Sequence, residues 1–125
     1  MLLRKQELEG LTRRDYYYLM NIIKVERGMA IIMREVGDHR KGVDILLRLS
    51  EKLAAVDTVG KHVPHAKFMA EQAIIAAETA HSYYRMAVND SVFIDSAAYY
   101  FGRAYIINQQ SVGTKESRSQ HTITY

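Results

Sequence analysis

The chain contains no cysteine and one proline among its 125 residues. The first absence removes disulfides, thiolate metal sites and cysteine nucleophiles, and is compatible with a reducing compartment. Between Pro64 and Gln110 there is one glycine, Gly102, and no further proline. Nothing in that tract interrupts a helix on propensity grounds. Long hydrophobic runs are missing too. Glu78, Arg85, Asp95 and Arg103 break the most apolar region, so no stretch approaches the roughly 18 uncharged residues that span a bilayer. The opening residues, MLLRKQELEG, lack the apolar core and cleavage site of a secretion signal. These absences predict a cytoplasmic protein without membrane contact.

Catalytic signatures are scarce as well. Gly60-Lys61 has no upstream glycine and is followed by His62, so it is not a phosphate-binding loop, and no Gly-x-Ser-x-Gly occurs. The sequence leans away from an enzyme and implies no cofactor. Charge is mild: seventeen Lys and Arg against fourteen Asp and Glu leave a net +3, with the two signs interspersed. That pattern describes a mixed solvated surface, with a local basic patch as the alternative.

What is present is helical pattern, and it predicts an all-α, four-helix bundle-like domain over 1–110 with short connections and a flexible polar tail over 111–125. Residues 1–12 form a short helix or a loose arm. From Asp15 to Val36, Tyr18, Ile22, Val25, Met29, Ile32 and Val36 recur at spacings of four and three, widened by Leu19, Ala30 and Met33. This is the apolar stripe expected to face a core. Gly37 fits a left-handed C-cap and Asp38 caps a second helix to about Thr58, with Leu46, Leu49, Leu53 and Val56 on one face and Val43 and Ile45 beside them. Pro64 suits the first turn of a third helix reaching Val88, whose alanines admit a close neighbour. Asn89, Asp90 and Ser91 predict a break, with one continuous helix as the alternative, before a fourth helix from Ser91 to Gln109. That helix is apolar on nearly every side, the pattern of a central or intersubunit element.

Three constellations stand out. Glu78 and His81, one helical turn apart, share a face as in carboxylate-bridged metal proteins, and Glu26 offers a second carboxylate. A second such pair is missing from the chain. His62 and His65 with His39 have zinc-like spacing but no further ligand. The third is the repeated coupling of tyrosine to arginine: Arg13-Arg14 before Tyr16-Tyr17, Tyr83-Tyr84 before Arg85, and Tyr99-Tyr100-Phe101 before Arg103. Neighbouring residues on a helix point about 100° apart, so the tyrosines do not all enter one core. Tyrosine and arginine anchor protein interfaces and also suit nucleic acid. The expectation is a small non-enzymatic binding or regulatory protein acting as a homo-oligomer. Tyr83, Tyr84, Tyr99, Tyr100, Phe101, Arg103 and Tyr105 would line the oligomer interface. Arg13, Arg14, Tyr16, Tyr17, Lys24, Arg27 and Arg34 would meet a protein or nucleic-acid partner. The alternatives are a metal-binding protein using Glu26, Glu78 and His81, or a structural subunit of a larger assembly.

Overall fold

A computed structural model describes the backbone of residues 13–59 and 65–119 and the side chains of 17–55 and 66–110. Four α-helices follow one another: α1 (Arg13–Glu35), α2 (His39–Val59), α3 (His65–Ala87) and α4 (Ile94–Ser119), with a 3-10 turn, Ser91–Phe93, ahead of the last. No strand occurs among the described residues. The expected arm over 1–12, Pro64 and the terminal HTITY segment lie outside them.

Local chemistry sets the joints. Gly37 takes φ +96°, a value that side chains with a Cβ resist. Its N–H donates to the Arg34 carbonyl, and Asp38 N–H reaches back to Met33 at 2.8 Å. The pair closes α1 in a Schellman motif. Asp38 then starts α2, its carboxylate accepting from Lys41 N–H at 3.2 Å. The break predicted at 89–91 is present: the Asp90 backbone is extended and its side chain accepts from Val92 N–H. Thus α3 and α4 are separate helices. The fourth continues past the expected Gln109 to Ser119.

The first three helices make one up-down-up unit. Leu19, Ile23 and Ala30 of α1, Leu46, Leu49 and Leu53 of α2, and Phe68 and Ile75 of α3 form its buried core. Each large side chain removed from water there contributes about 1.5–3 kcal/mol. Of the α2 face read from the sequence, Leu46, Leu49 and Leu53 are buried, and the side chain of Val56 lies outside the described residues. Gly42 brings α1 and α2 together, because a Cβ at that position would lie 2.9 Å from the Ala30 carbonyl oxygen.

Two placements differ from expectation. The stripe from Tyr18 to Val36 was expected in the core but lies on the solvent side, with exposures from 48% at Ile22 to 70% at Val36. The reason is electrostatic. Arg27 and Arg34 point inward to Glu71 and Glu78 of α3, which turns Leu19, Ile23 and Ala30 inside with them. Both pairings join residues 44 apart in the chain, so α1 and α3 run in the same direction. The second difference concerns α4. Among the described residues it packs on α3 and the preceding turn, without contact to α1 or α2. Its buried side chains are Ala97 and Ile107, the latter clustered with Met69 and Ala73 of α3. A helix expected to be central or intersubunit stands at the edge of the array within the single chain.

Candidate functional site

The α1–α3 seam is built from charge. The Arg34 guanidinium, 5% exposed, donates to the Glu78 carboxylate at 2.7 Å and to the Glu78 carbonyl oxygen at 3.3 Å. Its Nε approaches Glu35 at 3.4 Å, and Glu35 in turn holds Arg85 at 3.1 Å. The hydrogen bond from Arg85, aided by its charge and by Arg34, holds the Glu35 carboxyl below the usual carboxylate range against a smaller opposing effect of desolvation. One turn-pair earlier, Arg27 binds Glu71, whose carboxylate is nearly buried. Buried ion pairs of this kind give register more than net stability. Their removal from the list of outward cations corrects the sequence reading: Arg34 and Arg27 serve the fold. Lys24 and Tyr17 are exposed as expected, Tyr17 at 69%. The side chains of Arg13, Arg14 and Tyr16 lie outside the described residues.

The metal reading fares similarly. Glu78 and His81 line a shallow hollow with Ala77, Tyr84 and Phe101, while Glu26 lines a different groove between α1 and α2 beside Met29, Ile45 and Arg48. The three are not brought together, and Arg34 occupies the carboxylate a metal would need. Among the described residues no three histidine or acidic side chains converge on one point. His62 and the side chain of His65 lie outside that description. Burial first, then the charges of Arg34 and Arg85, push the His81 imidazole below its ordinary 6.5 despite Glu78 and Glu35. A depressed imidazole favours the neutral form in the folded chain. Its contribution to stability is therefore complete above 6.5 and lost as pH falls through the lower folded value. Melting temperature is expected to fall on acidification from about pH 7.5 to about pH 5.5, and His81→Gln to flatten part of that fall. An unchanged pH profile in the variant would place the sensitivity elsewhere.

The tyrosines divide into two groups. Tyr83 stacks on Phe93 at 6.0 Å and on Tyr100 at 5.7 Å, and Tyr99 meets Tyr100 edge-on at 5.0 Å. Arg40 of α2 lies 5.7 Å above the Phe93 ring. These rings fasten the α3–α4 turn, so Tyr83 and Tyr100, expected at an intersubunit surface, are half-buried within the chain itself. Burial, with neighbouring Tyr83 and Tyr99, raises the Tyr100 phenol above its ordinary 10.0. The second group faces outward: Tyr84, Tyr99, Phe101 and Tyr105 are 48–66% exposed, joined by Ile94 and Ile106. Arg103 is also exposed. Gly102 sits among them, with open space around the position of a Cβ. A neighbouring helix could approach closely there.

Fold and surface together define an all-α helical array with an exposed aromatic edge. Among its described residues no helix is long and apolar enough to cross a membrane. Comparison of the chain with protein-family models, curated proteins and solved structures gave no match.

Proposed function

We propose that the protein is a non-enzymatic, cytoplasmic binding module that acts as a homo-oligomer, with the outer face of α4 and the adjoining edge of α3 as its contact surface. One observation carries this reading: α4 buries Ala97 and Ile107 while Ile94, Tyr99, Phe101, Tyr105 and Ile106 are 48–66% exposed. Those side chains, with Tyr84 beside Phe101 across the hollow, expose on the order of 700 Å² of largely apolar surface, above the usual patch on a monomer and near one side of a stable interface. Aromatic rings bury large area at small rotamer cost, and each phenol keeps a polar tip for the rim. A second copy is the occupant this surface favours, since it is largely apolar and its exposed charges, Asp95 and Arg103, are of opposite sign.

A protein partner is favoured over nucleic acid because Arg27 and Arg34 neutralise Glu71 and Glu78 within the fold. The cationic side of α1 is smaller than composition suggests. Light scattering on the intact chain is expected to give a mass above one protomer, and Phe101→Asp with Tyr105→Asp to lower it while helix content stays unchanged. A wild-type mass of one protomer at high concentration removes the reading. Oligonucleotide binding that weakens steeply with salt would instead favour a nucleic-acid partner.

A further inference from the structure

The solvent side of α1 carries a second surface, unrelated to the aromatic edge. Tyr18, Ile22, Val25, Met29, Ile32 and Val36 recur at steps of four, three, four, three and four, a strict 3.5-residue period, and all are 48–70% exposed. The narrow two-in-seven period is the seam of a coiled coil, whereas a helix packed only on its own globular core shows a wider apolar face. In α1 that core-facing side exists separately, in Leu19, Ile23, Ala30 and the inward arginines. The helix thus has two distinct packing sides. Every charged residue between 18 and 36, namely Lys24, Glu26, Arg27, Arg34 and Glu35, lies off the row. Two of those charges, Arg27 and Arg34, are directed into the chain's own interior beside Leu19, Ile23 and Ala30, and the six residues of the row stay outside.

We infer that this row packs antiparallel against the same row of a second copy, with the two-fold axis crossing the row between Val25 and Met29, level with residue 27 but on the side of the helix opposite its inward-turned side chain. The spacing accommodates that occupant. Steps of four, three, four, three and four read the same in both directions, so an antiparallel copy centred on residue 27 meets every layer in register: Tyr18 with Val36, Ile22 with Ile32, and Val25 with Met29. Each end layer sets a large ring against a small β-branched side chain, the Ile22–Ile32 layers are matched in size, and the innermost layers set Val25 against the adaptable Met29. The exposed part of the row amounts to on the order of 600 Å² per copy, close to the ~800 Å² per side of a standard stable interface before the flanking residues are added. Gly28, beside the axis, has nothing within 4 Å of a would-be Cβ, which leaves room for close helix approach. The core of each copy lies on the opposite side of α1, so the two bodies do not compete for space.

The absence of native cysteine makes the geometry directly testable. Ile22→Cys and Ile32→Cys are placed at exposed positions in the full chain. In the antiparallel arrangement two copies of residue 22 stand about 15 Å apart along the axis, beyond disulfide reach, while residue 22 faces residue 32 of the other copy. Under mild oxidation each variant alone is expected to stay uncrosslinked and an equimolar mixture to give the crosslinked dimer. Met29→Arg is expected to lower the mass in light scattering, with helix content retained. Self-crosslinking of each variant alone would overturn the antiparallel arrangement. No change of mass in Met29→Arg together with no crosslink in the mixture would overturn the interface altogether. The α4 reading fails separately. If Phe101→Asp with Tyr105→Asp leaves a dimer that Met29→Arg then dissociates, the α1 interface stands. If that α4 variant is already a lone protomer, the α1 interface falls and the α4 one remains.

Discussion

Replacing Glu78 with alanine is expected to lower folding stability by about 3 kcal/mol, read as a shift of the denaturant midpoint at constant slope. The side chain itself is only partly buried, at 25% exposed, and its own packing is a small part of the effect. The larger part falls on Arg34, whose guanidinium is 5% exposed and loses its nearest carboxylate. Glu35 at 3.4 Å is a weaker substitute, because it is shared with Arg85 and half in solvent. Breaking one partner of a buried pair leaves a charge in low dielectric, whereas replacing both by apolar residues removes the penalty. The double change Arg34→Met with Glu78→Leu is accordingly expected to recover most of the loss. A Glu78→Ala chain as stable as the parent would mean that Arg34 reaches water more freely than its position indicates.

Gly42→Ala is the second large effect, and its sign runs against helix propensity. In an open helical position alanine gains about 1 kcal/mol over glycine. At Gly42 the added methyl would sit 2.9 Å from the Ala30 carbonyl oxygen and 3.6 Å from the Arg34 amide nitrogen. Those are backbone atoms of a helix and cannot rotate aside as a flexible side chain would. Relief requires α1 and α2 to separate, which loosens Ile23 and Ala30 against Leu46 and Leu49. Overpacking of this kind costs about 1–3 kcal/mol, so a net loss near 2 kcal/mol is expected by chemical denaturation. Gly102→Ala provides the contrast, since its surroundings are open. A gain in stability at Gly42 would show that the two helices have slack between them.

The joints of this fold were legible because they rest on single residues with strong local preferences. Gly37 supplies a positive φ, Asp38 and Asp90 supply capping carboxylates, and the boundaries follow from them. The α2 face was legible too, since Leu46, Leu49 and Leu53 have no rival face. The orientation of α1 was not. Periodicity shows that a face exists and leaves open which side turns inward, and here the more apolar side turned outward. The deciding signal lay in two helices at once. Arg27 and Arg34 are seven apart, as are Glu71 and Glu78, and Arg85 continues the same interval. Seven residues is two turns, so both acids and both bases stand in matching rows. Reading either helix alone makes the arginines look like surface charge. Their pairing also explains why the metal reading of Glu78 and His81 found no site: a guanidinium already satisfies the carboxylate. The placement of α4 was left open for a related reason, because an all-round apolar helix signals enclosure without saying by whom.

One property of α4 bears on how this protein could change over time. Among the described residues it packs on α3 and the Ser91–Phe93 turn and on neither α1 nor α2, burying Ala97 and Ile107 with Met69 and Ala73 close by. Tyr105 and Ile106 are exposed and absent from the Leu46–Phe68 interior, and substitutions at distant positions with no shared partner act additively. Drift at those outward positions can therefore reshape this face while the three-helix foundation keeps its own stability, much as an interchangeable tool head leaves its handle untouched.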